Sequence, residues 1–488
     1  MHSENLDSEI FANLQQQQEI LLWRYATETG SFKKKMIGAR MLLSKLKGSL
    51  MASFYSAAQV NDIRNRNLAN AVMTARSLSP WQTVKRTFAM ERTIRKWEQA
   101  KAANDFTIVQ DELQSLVDSI RIEARSKAAM MGVDEPYDAL LRSRTQGLST
   151  AYFDWLTECL PTFCYIVRKQ ARSLQAPAYP QAIFEDKALD QDKLERMVLQ
   201  TIGYDLDRGR VAQALHPLCM GMHDDVRIGV RASKDFTTTI LTAGHEGGHG
   251  TYRQNLPVLY NRLDSGLAGV GMDEAMALIM ENHVVRDKPF ADFIAKTLRE
   301  DFNAAASAEI TGDMLHRHMK HIKDAPIRTE ADEIRYPLDV ILRYRIERQL
   351  INGEMDVADI PEYWRSEYRK LTGIEIKIDN EGPLQDIHWF AGEFGWFPNY
   401  LVGQMAAAQL FEVASDDMPF LKHYLAKGNV APLRNWLHEK IYSQGATQTI
   451  NNLVQSATGA PIGPIAYMRH IGRRYTRKDE SNLDLKVK

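Results

Sequence analysis

Leu241-Thr242-Ala243-Gly244-His245-Glu246-Gly247-Gly248-His249-Gly250-Thr251-Tyr252 is the stretch from which the rest of the chain is best read. Residues four apart stack on one face of an α-helix, so His245 and His249 aim two imidazoles at one point. That point suits a zinc ion. Glu246 lies about 100° further round the helix. It is too far off the histidine face to be a natural third ligand, but well placed to hold a water beside the ion and take its proton. His-Glu-x-x-His on a helix is the arrangement of metallopeptidases. Upstream, Asp235 is a candidate cap for Phe236-Thr237-Thr238-Thr239-Ile240, whose apolar residues lead into the motif as a helix start should. Gly244, Gly247, Gly248 and Gly250 argue against a helix, each costing about 1 kcal/mol relative to alanine. They are read as points where a neighbouring element or the substrate presses against the helix.

A catalytic zinc takes three protein ligands and keeps a fourth position open. Beyond a glycine-rich loop from Gly266 to Gly271, the run Met272 to His283 has the pattern of a second helix, with Glu274 and Glu281 two turns apart as candidate third ligands. Glu274 is preferred because it lies nearer the motif. Before the motif, Asp225-Val226-Arg227-Ile228-Gly229-Val230 alternates Val226, Ile228 and Val230, the best strand signal in the chain. Its polar residues can line the same cleft.

The remainder reads as helical. Met36 to Gln59, Trp81 to Ala102, Ile108 to Met131 and Asp190 to Ile202 place apolar residues at three- and four-residue spacing. Gly203-Tyr204-Asp205 is a break, Ile334 to Arg348 is an arginine-rich amphipathic helix, and Gln404 to Tyr475 is mostly helix. Arginines in the Ile334–Arg348 helix read first as an ion-paired surface, although one aimed into a peptidase cleft would bind a carboxylate bidentately. Gly382 to Trp389 and Glu393 to Tyr400 concentrate aromatic residues with His388 and Tyr400, groups that can stabilise an oxyanion but are more often buried, hydrogen-bonded core.

With 488 residues and a net charge of -1, composition is that of an ordinary globular protein, with no electrostatic reason to expect nucleic acid or an anionic membrane. Cys159, Cys164 and Cys219 are too few for a disulfide framework. The amino terminus lacks the pattern of a signal peptide, and no stretch has the roughly 20 apolar residues needed to span a bilayer. The expectation is a cytoplasmic protein.

The order of these pieces resembles the thermostable-type metallocarboxypeptidases, the carboxypeptidase Taq family. That family's landmarks run HPF, DxRxT, HExxH, a Glu in a His-Glu-Ser-Gln context, an Ile-x-Arg-aromatic segment and GxxQDxHW. They correspond to His216-Pro217-Leu218, Asp225 to Gly229, His245 to His249, Asp273-Glu274-Ala275-Met276, Ile341-Leu342-Arg343-Tyr344 and Gly382 to Trp389. The resemblance runs from about Pro136 to Tyr475. It implies a mainly α, large helical metallopeptidase fold with a deep narrow cleft and a small β element next to the HExxH helix, often dimeric. It also implies a broad-specificity carboxypeptidase using one zinc, or another divalent ion such as cobalt, per chain. The implied ligands are His245, His249 and Glu274, with Glu246 as base. Arg227 and Arg343 are the candidates for the substrate's terminal carboxylate, and His388 and Tyr400 for the scissile region. Within one compact unit, residues 1–130 would form part of the cleft wall, 131–475 the catalytic region and 476–488 a polar tail. The chain departs from the pattern at Leu218, Gly229, Asp273 and Met276, where Phe, Thr, His and Gln are usual. The expected consequence is loss of a group supporting the metal or of a substrate hydrogen bond, with altered specificity or metal preference. The rival readings are a metallo-oligopeptidase cutting internal bonds and a non-catalytic helical protein that keeps the metal for stability.

Overall fold

The computed structural model describes residues 73–476 apart from positions 75, 146, 177, 186–188, 215–216, 232, 258–266 and 303–308. The expected helix Met36 to Gln59, His216 and the tail beyond Thr476 lie outside the described residues.

Helix α1 (Pro80–Ala103) starts where Ser79 accepts a hydrogen bond from the Gln82 backbone while the Gln82 side chain accepts one from Ser79, a reciprocal cap that satisfies two otherwise free N–H groups. Helix α2 (Thr107–Met131) buries Val109, Leu113, Leu116, Val117, Ile120 and Ala124, the three- and four-residue stripe read in the sequence, and stops at Gly132 in the left-handed region. Helices α3 (Pro136–Arg144) and α4 (Thr150–Leu174) follow. Helix α5 (Gln191–Ile202) is capped by Asp190 and ended by Gly203 at φ 101°, a conformation glycine adopts without a Cβ penalty. Arg121 on α2 donates to the Leu350 carbonyl, and the Trp97 indole on α1 to that of Leu384, so these two helices are stitched to segments more than two hundred residues later in the chain.

A three-stranded sheet comes next: β1 (Gly209–Gln213), β2 (Leu218–Met222) and β3 (Asp225–Val230), with β3 central, parallel to β1 and antiparallel to β2. In β3, Val226, Ile228 and Val230 are buried as their alternation required. The two partner strands were not legible. Arg210 and Gln213 are exposed, and β2 is half-buried along its whole length, so neither shows a period of two.

The motif helix α6 (Phe236–Gln254) begins at Asp235, whose carboxylate accepts from the Thr237 N–H. A Cβ added at Gly248 would lie 2.6 Å from the Ala277 Cα and the Met276 carbonyl oxygen, and one at Gly244 2.8 Å from the Val285 side chain. One at Gly247 would run into Ile202 and Leu199, and one at Gly250 into Tyr204 and Ile228. The four glycines therefore mark close approach on two flanks, by α7 (Val270–Leu278) on one side and by α5 with β3 on the other. Helix α7 widens into a π-helical turn over Ile279–Val285.

The rest is helical: α8 (Lys288–Asp301), α9 (Gly312–Met319), α10 (Tyr336–Asn352), α11 (Ile360–Thr372), α12 (Pro398–Asp417), α13 (Leu421–Leu425), α14 (Ala431–Lys440), α15 (Ile450–Thr458) and α16 (Ile465–Thr476). Helix α10 departs from its expected ion-paired surface. Most of it is buried, including Arg343 and the acids Asp339 and Glu347, and Arg335 just ahead of it is buried as well.

Two glycine substitutions separate contact from propensity. Gly248→Ala should destabilise the protein by about 1–3 kcal/mol, because its Cβ meets backbone that has no room to retreat. Gly472→Ala on α16, where an added Cβ meets nothing, should be neutral or stabilise by up to about 1 kcal/mol. Urea unfolding of the two variants beside the parent reads the difference in sign.

Candidate metal centre and the polar wall beside it

Helices α6 and α7 bring His245, His249 and Glu274 together so that one donor atom from each lies within 4.8 Å of the others. Glu274 Oε2 is 4.0 Å from His245 Nε2 and 3.8 Å from His249 Nε2. Donors held about 2.0–2.2 Å from one tetrahedral ion lie roughly 3.5 Å apart, so Glu274 stands within about half an ångström of that spacing from each imidazole. Glu274 is seated against α12, where a Cβ on Gly403 would come within 2.8 Å of the Glu274 side chain. A larger residue at 403 would therefore push the carboxylate away.

The outer edges of the imidazoles are occupied as metal-binding histidines require. His245 Nδ1 is 2.9 Å from Glu281 Oε2, whose other oxygen accepts from Arg286 at 2.7 Å. His249 Nδ1 is 3.2 Å from Asp273 Oδ1, which is an ion-pair contact bent out of hydrogen-bond alignment, and Asp273 in turn accepts from Arg253 at 2.7 Å. Both Nε2 atoms are thereby left facing Glu274. Burial alone would lower the His245 pKa, but the Glu274 and Glu281 carboxylates override it and hold it up at about 10. A field that grips a proton this firmly is one that a cation enters readily. Glu281 thus faces the outer edge of His245, on the side away from the candidate cluster.

Glu246 is buried, and its Oε2 has no hydrogen-bond partner. Burial raises its pKa, with the two motif imidazoles pulling the other way. A carboxylate is expensive to bury unpaired, so this empty acceptor stands out beside the candidate cluster.

Across the site, His388 Nε2 lies 3.1 Å from the Tyr400 hydroxyl. Tyr400 sits one turn before Gly403 on α12, on the side that faces Glu274; burial raises the pKa of both Tyr400 and Tyr336, the Arg328 charge opposes it, and the Glu274 charge adds to it. Burial pushes His388 down to about 3. His388 is therefore a neutral hydrogen-bonding group across the working pH range. Arg328 donates to both oxygens of Asp386 and to the Tyr336 hydroxyl, and its guanidinium lies over the Tyr400 and Phe397 rings.

The two arginines expected to hold a substrate carboxylate are placed differently. Arg227 is half-buried on β3 and forked onto Asp225 through Nε and Nη2 at 2.8 Å each. Arg343 is 1% exposed, donates to Asp386 and to the Asp339 carbonyl, and lies over Trp364. With both ends engaged and no solvent contact, Arg343 does not fit direct capture of a substrate carboxylate, and that expectation is corrected. It fixes Asp386, and through Asp386 it fixes Arg328.

The carboxypeptidase Taq (M32) metallopeptidase family model matches residues 15–475 of the chain. The chain belongs to this family. It is a metallocarboxypeptidase. It is 32% identical to carboxypeptidase 1 of Bacillus subtilis over 387 residues, covering 78% of this chain and 76% of that one. It is 30% identical to thermostable carboxypeptidase 1 of Pyrococcus furiosus over 425 residues, covering 84% and 82%. Among solved structures, it superposes on a Pyrococcus furiosus carboxypeptidase with a TM-score of 0.88 at 26% identity, covering 96% of this chain and 98% of that one. On metallocarboxypeptidase 1 of Trypanosoma cruzi the TM-score is 0.82, again at 26% identity, covering 96% and 99%.

Four features of this metallocarboxypeptidase escaped the sequence reading. Arg328 lies in a short 3-10 turn (Arg328–Glu330) with no periodicity to flag it, although Ile327-Arg328 and Asp332 are plain in the chain. Tyr336 opens α10 and reads as packing. Asp273 counted as a lost partner, yet it stands beside His249. Leu218 and Gly229 are register partners across β2 and β3, and a Cβ on Gly229 would lie 3.0 Å from the Leu218 side chain, so these two departures from the family pattern are one local packing change. Among the described residues no helix is long and apolar enough to cross a membrane.

Asp386→Asn should cost about 3–5 kcal/mol, because it strands two buried guanidinium groups. Burial would raise the Asp386 pKa, but Arg328 and Arg343 hold it well below the ordinary carboxylate range. Its stabilisation is therefore complete above the unfolded value of about 3.9 and fades as pH falls toward the depressed folded value. Unfolding at pH 7 and at pH 3 should show the gap between parent and variant narrowing at the lower pH.

Proposed function

We propose that the enzyme uses a zinc ion held by His245, His249 and Glu274 to hydrolyse the C-terminal peptide bond of peptides of varied sequence, with Glu246 as the proton-transfer group. The observation that carries this reading is the buried Glu246 carboxylate, with an unpartnered Oε2, next to a three-donor cluster whose histidines are both backed by carboxylates. When bound, the metal supplies Lewis acidity, polarising the scissile carbonyl and making water easier to deprotonate.

The chain's own residues do the rest. Glu246 takes a proton from the attacking water and passes it to the departing amine, and the raised proton affinity that burial gives it suits both halves of the task. Burial also keeps the Tyr400 phenol protonated. With its own proton on Nε2, His388 donates to the Tyr400 oxygen and leaves the phenol hydrogen free for the oxyanion of the tetrahedral intermediate. Arg227, on a sheet face beside the motif helix, is the arginine of the original pair that retains solvent contact for the terminal carboxylate.

Glu246→Gln should keep its metal and lose about 10²- to 10⁴-fold in kcat, with metal content measured on the same preparation. Near-parental turnover would remove Glu246 from the role. A peptide that is cleaved as its free acid should resist cleavage when its carboxyl terminus is amidated; equal cleavage of both forms would favour an oligopeptidase cutting internal bonds.

A further inference from the structure

Two histidines bind in one site, yet their supports differ. His245 Nδ1 meets Glu281 in good hydrogen-bond geometry, whereas His249 Nδ1 is buried, makes no aligned hydrogen bond and has the Asp273 carboxylate 3.2 Å away. Asp273 directly precedes the ligand Glu274 on α7, so one short segment delivers a ligand and the group behind another ligand. It is 6% exposed and is held from the far side by Arg253, which stands one turn after His249 on α6. We propose that Asp273 is a positioning residue for the metal, holding His249 with Nε2 toward Glu274, and that its charge tightens the hold of the site on a divalent ion.

The chemistry follows from what a carboxylate can do. It has no hydrogen to give and is negative, so at 3.2 Å it favours electrostatically the tautomer with hydrogen on Nδ1 and a free lone pair on Nε2. Being anionic, it also makes that lone pair a better donor. Where the family pattern has histidine at this position, the partner would be a ring able to donate or accept, and it would bring no negative charge. The departure at 273 is therefore an exchange of a neutral neighbour for a charged one. This inference rests on the ligand set proposed above.

The test uses Co2+ as a spectroscopic probe in the full-length protein. Asp273→Asn keeps an oxygen acceptor and loses the charge; Asp273→Ala loses both. Affinity for Co2+, measured by chelator competition, should fall about 10-fold in the first and about 100-fold in the second, the usual range for removing a group that supports a ligand. The visible Co2+ bands should move in Asp273→Ala. Arg253→Gln breaks the tie between α6 and α7 but leaves the carboxylate beside His249, so its bands should stay in place. Co2+ affinity within twofold of the parent in both Asp273 variants would overturn the proposal. Equal spectral change in Arg253→Gln and Asp273→Ala would also overturn it, showing that Asp273 only staples the helices. His249→Ala distinguishes the two levels: undiminished Co2+ binding there would sink the ligand set itself.

Discussion

The site depends on how closely α6 and α7 approach. A carboxylate on one helix reaches the imidazoles of the next only if the backbones nearly touch. Gly248, with Ala277 and the Met276 carbonyl where its Cβ would stand, is the point of contact. Helix propensity is given up for this. Four glycines in seven residues disfavour a helix by several kcal/mol, roughly 1 kcal/mol each. That loss is offset by burying almost the whole of α6 between α7 on one flank and α5 with β3 on the other. The motif helix is a helix because of its neighbours, and its neighbours can come close because it lacks side chains where they press.

What the chain disclosed and what it hid divide along a physical line. The four-residue spacing of His245 and His249, the cap at Asp235, and the alternation in β3 are local patterns, and each appears in the structure as read. The roles of Glu281, Asp273, Arg328 and Arg343 depend on which atoms meet across the fold. Glu281 sits on a π-helical turn, so regular helical arithmetic could not show that it would reach the far edge of the same imidazole that Glu274 faces. Asp273 differed from the family pattern in residue type, and type alone suggested a loss, whereas its placement supplies a carboxylate to His249. Arg343 looked like a surface or cleft cation because arginine is rarely buried; it is buried here because Asp386 and the Asp339 carbonyl meet it inside.

Asp386 links that buried arginine to the site. It takes one guanidinium from the core, Arg343, and one from the site wall, Arg328, and Arg328 leans on Tyr400 and Tyr336. Glu347 performs a parallel service one layer deeper, accepting from the Tyr137 hydroxyl, the Trp389 indole and the Gly395 N–H. The segment from Gly382 to Phe397 has little regular structure, so these buried acids, rather than a backbone ladder, hold the stretch that carries His388, while α12 carries Tyr400.

Charge balance supports the proposed dication. Four carboxylates crowd the motif: Glu246, Asp273, Glu274 and Glu281. Arg253 answers Asp273 and Arg286 answers Glu281. Among the described residues, neither Glu246 nor Glu274 has an arginine or lysine within salt-bridge distance, although both are 5% exposed. Two buried negative charges without cationic partners would cost several kcal/mol each. The protein alone can meet that only by protonation, and the raised values of His245 and Glu246 are that response. In the proposed site, a doubly charged ion at the His245–His249–Glu274 cluster would remove the need for those protons, with Glu274 as ligand and Glu246 as base.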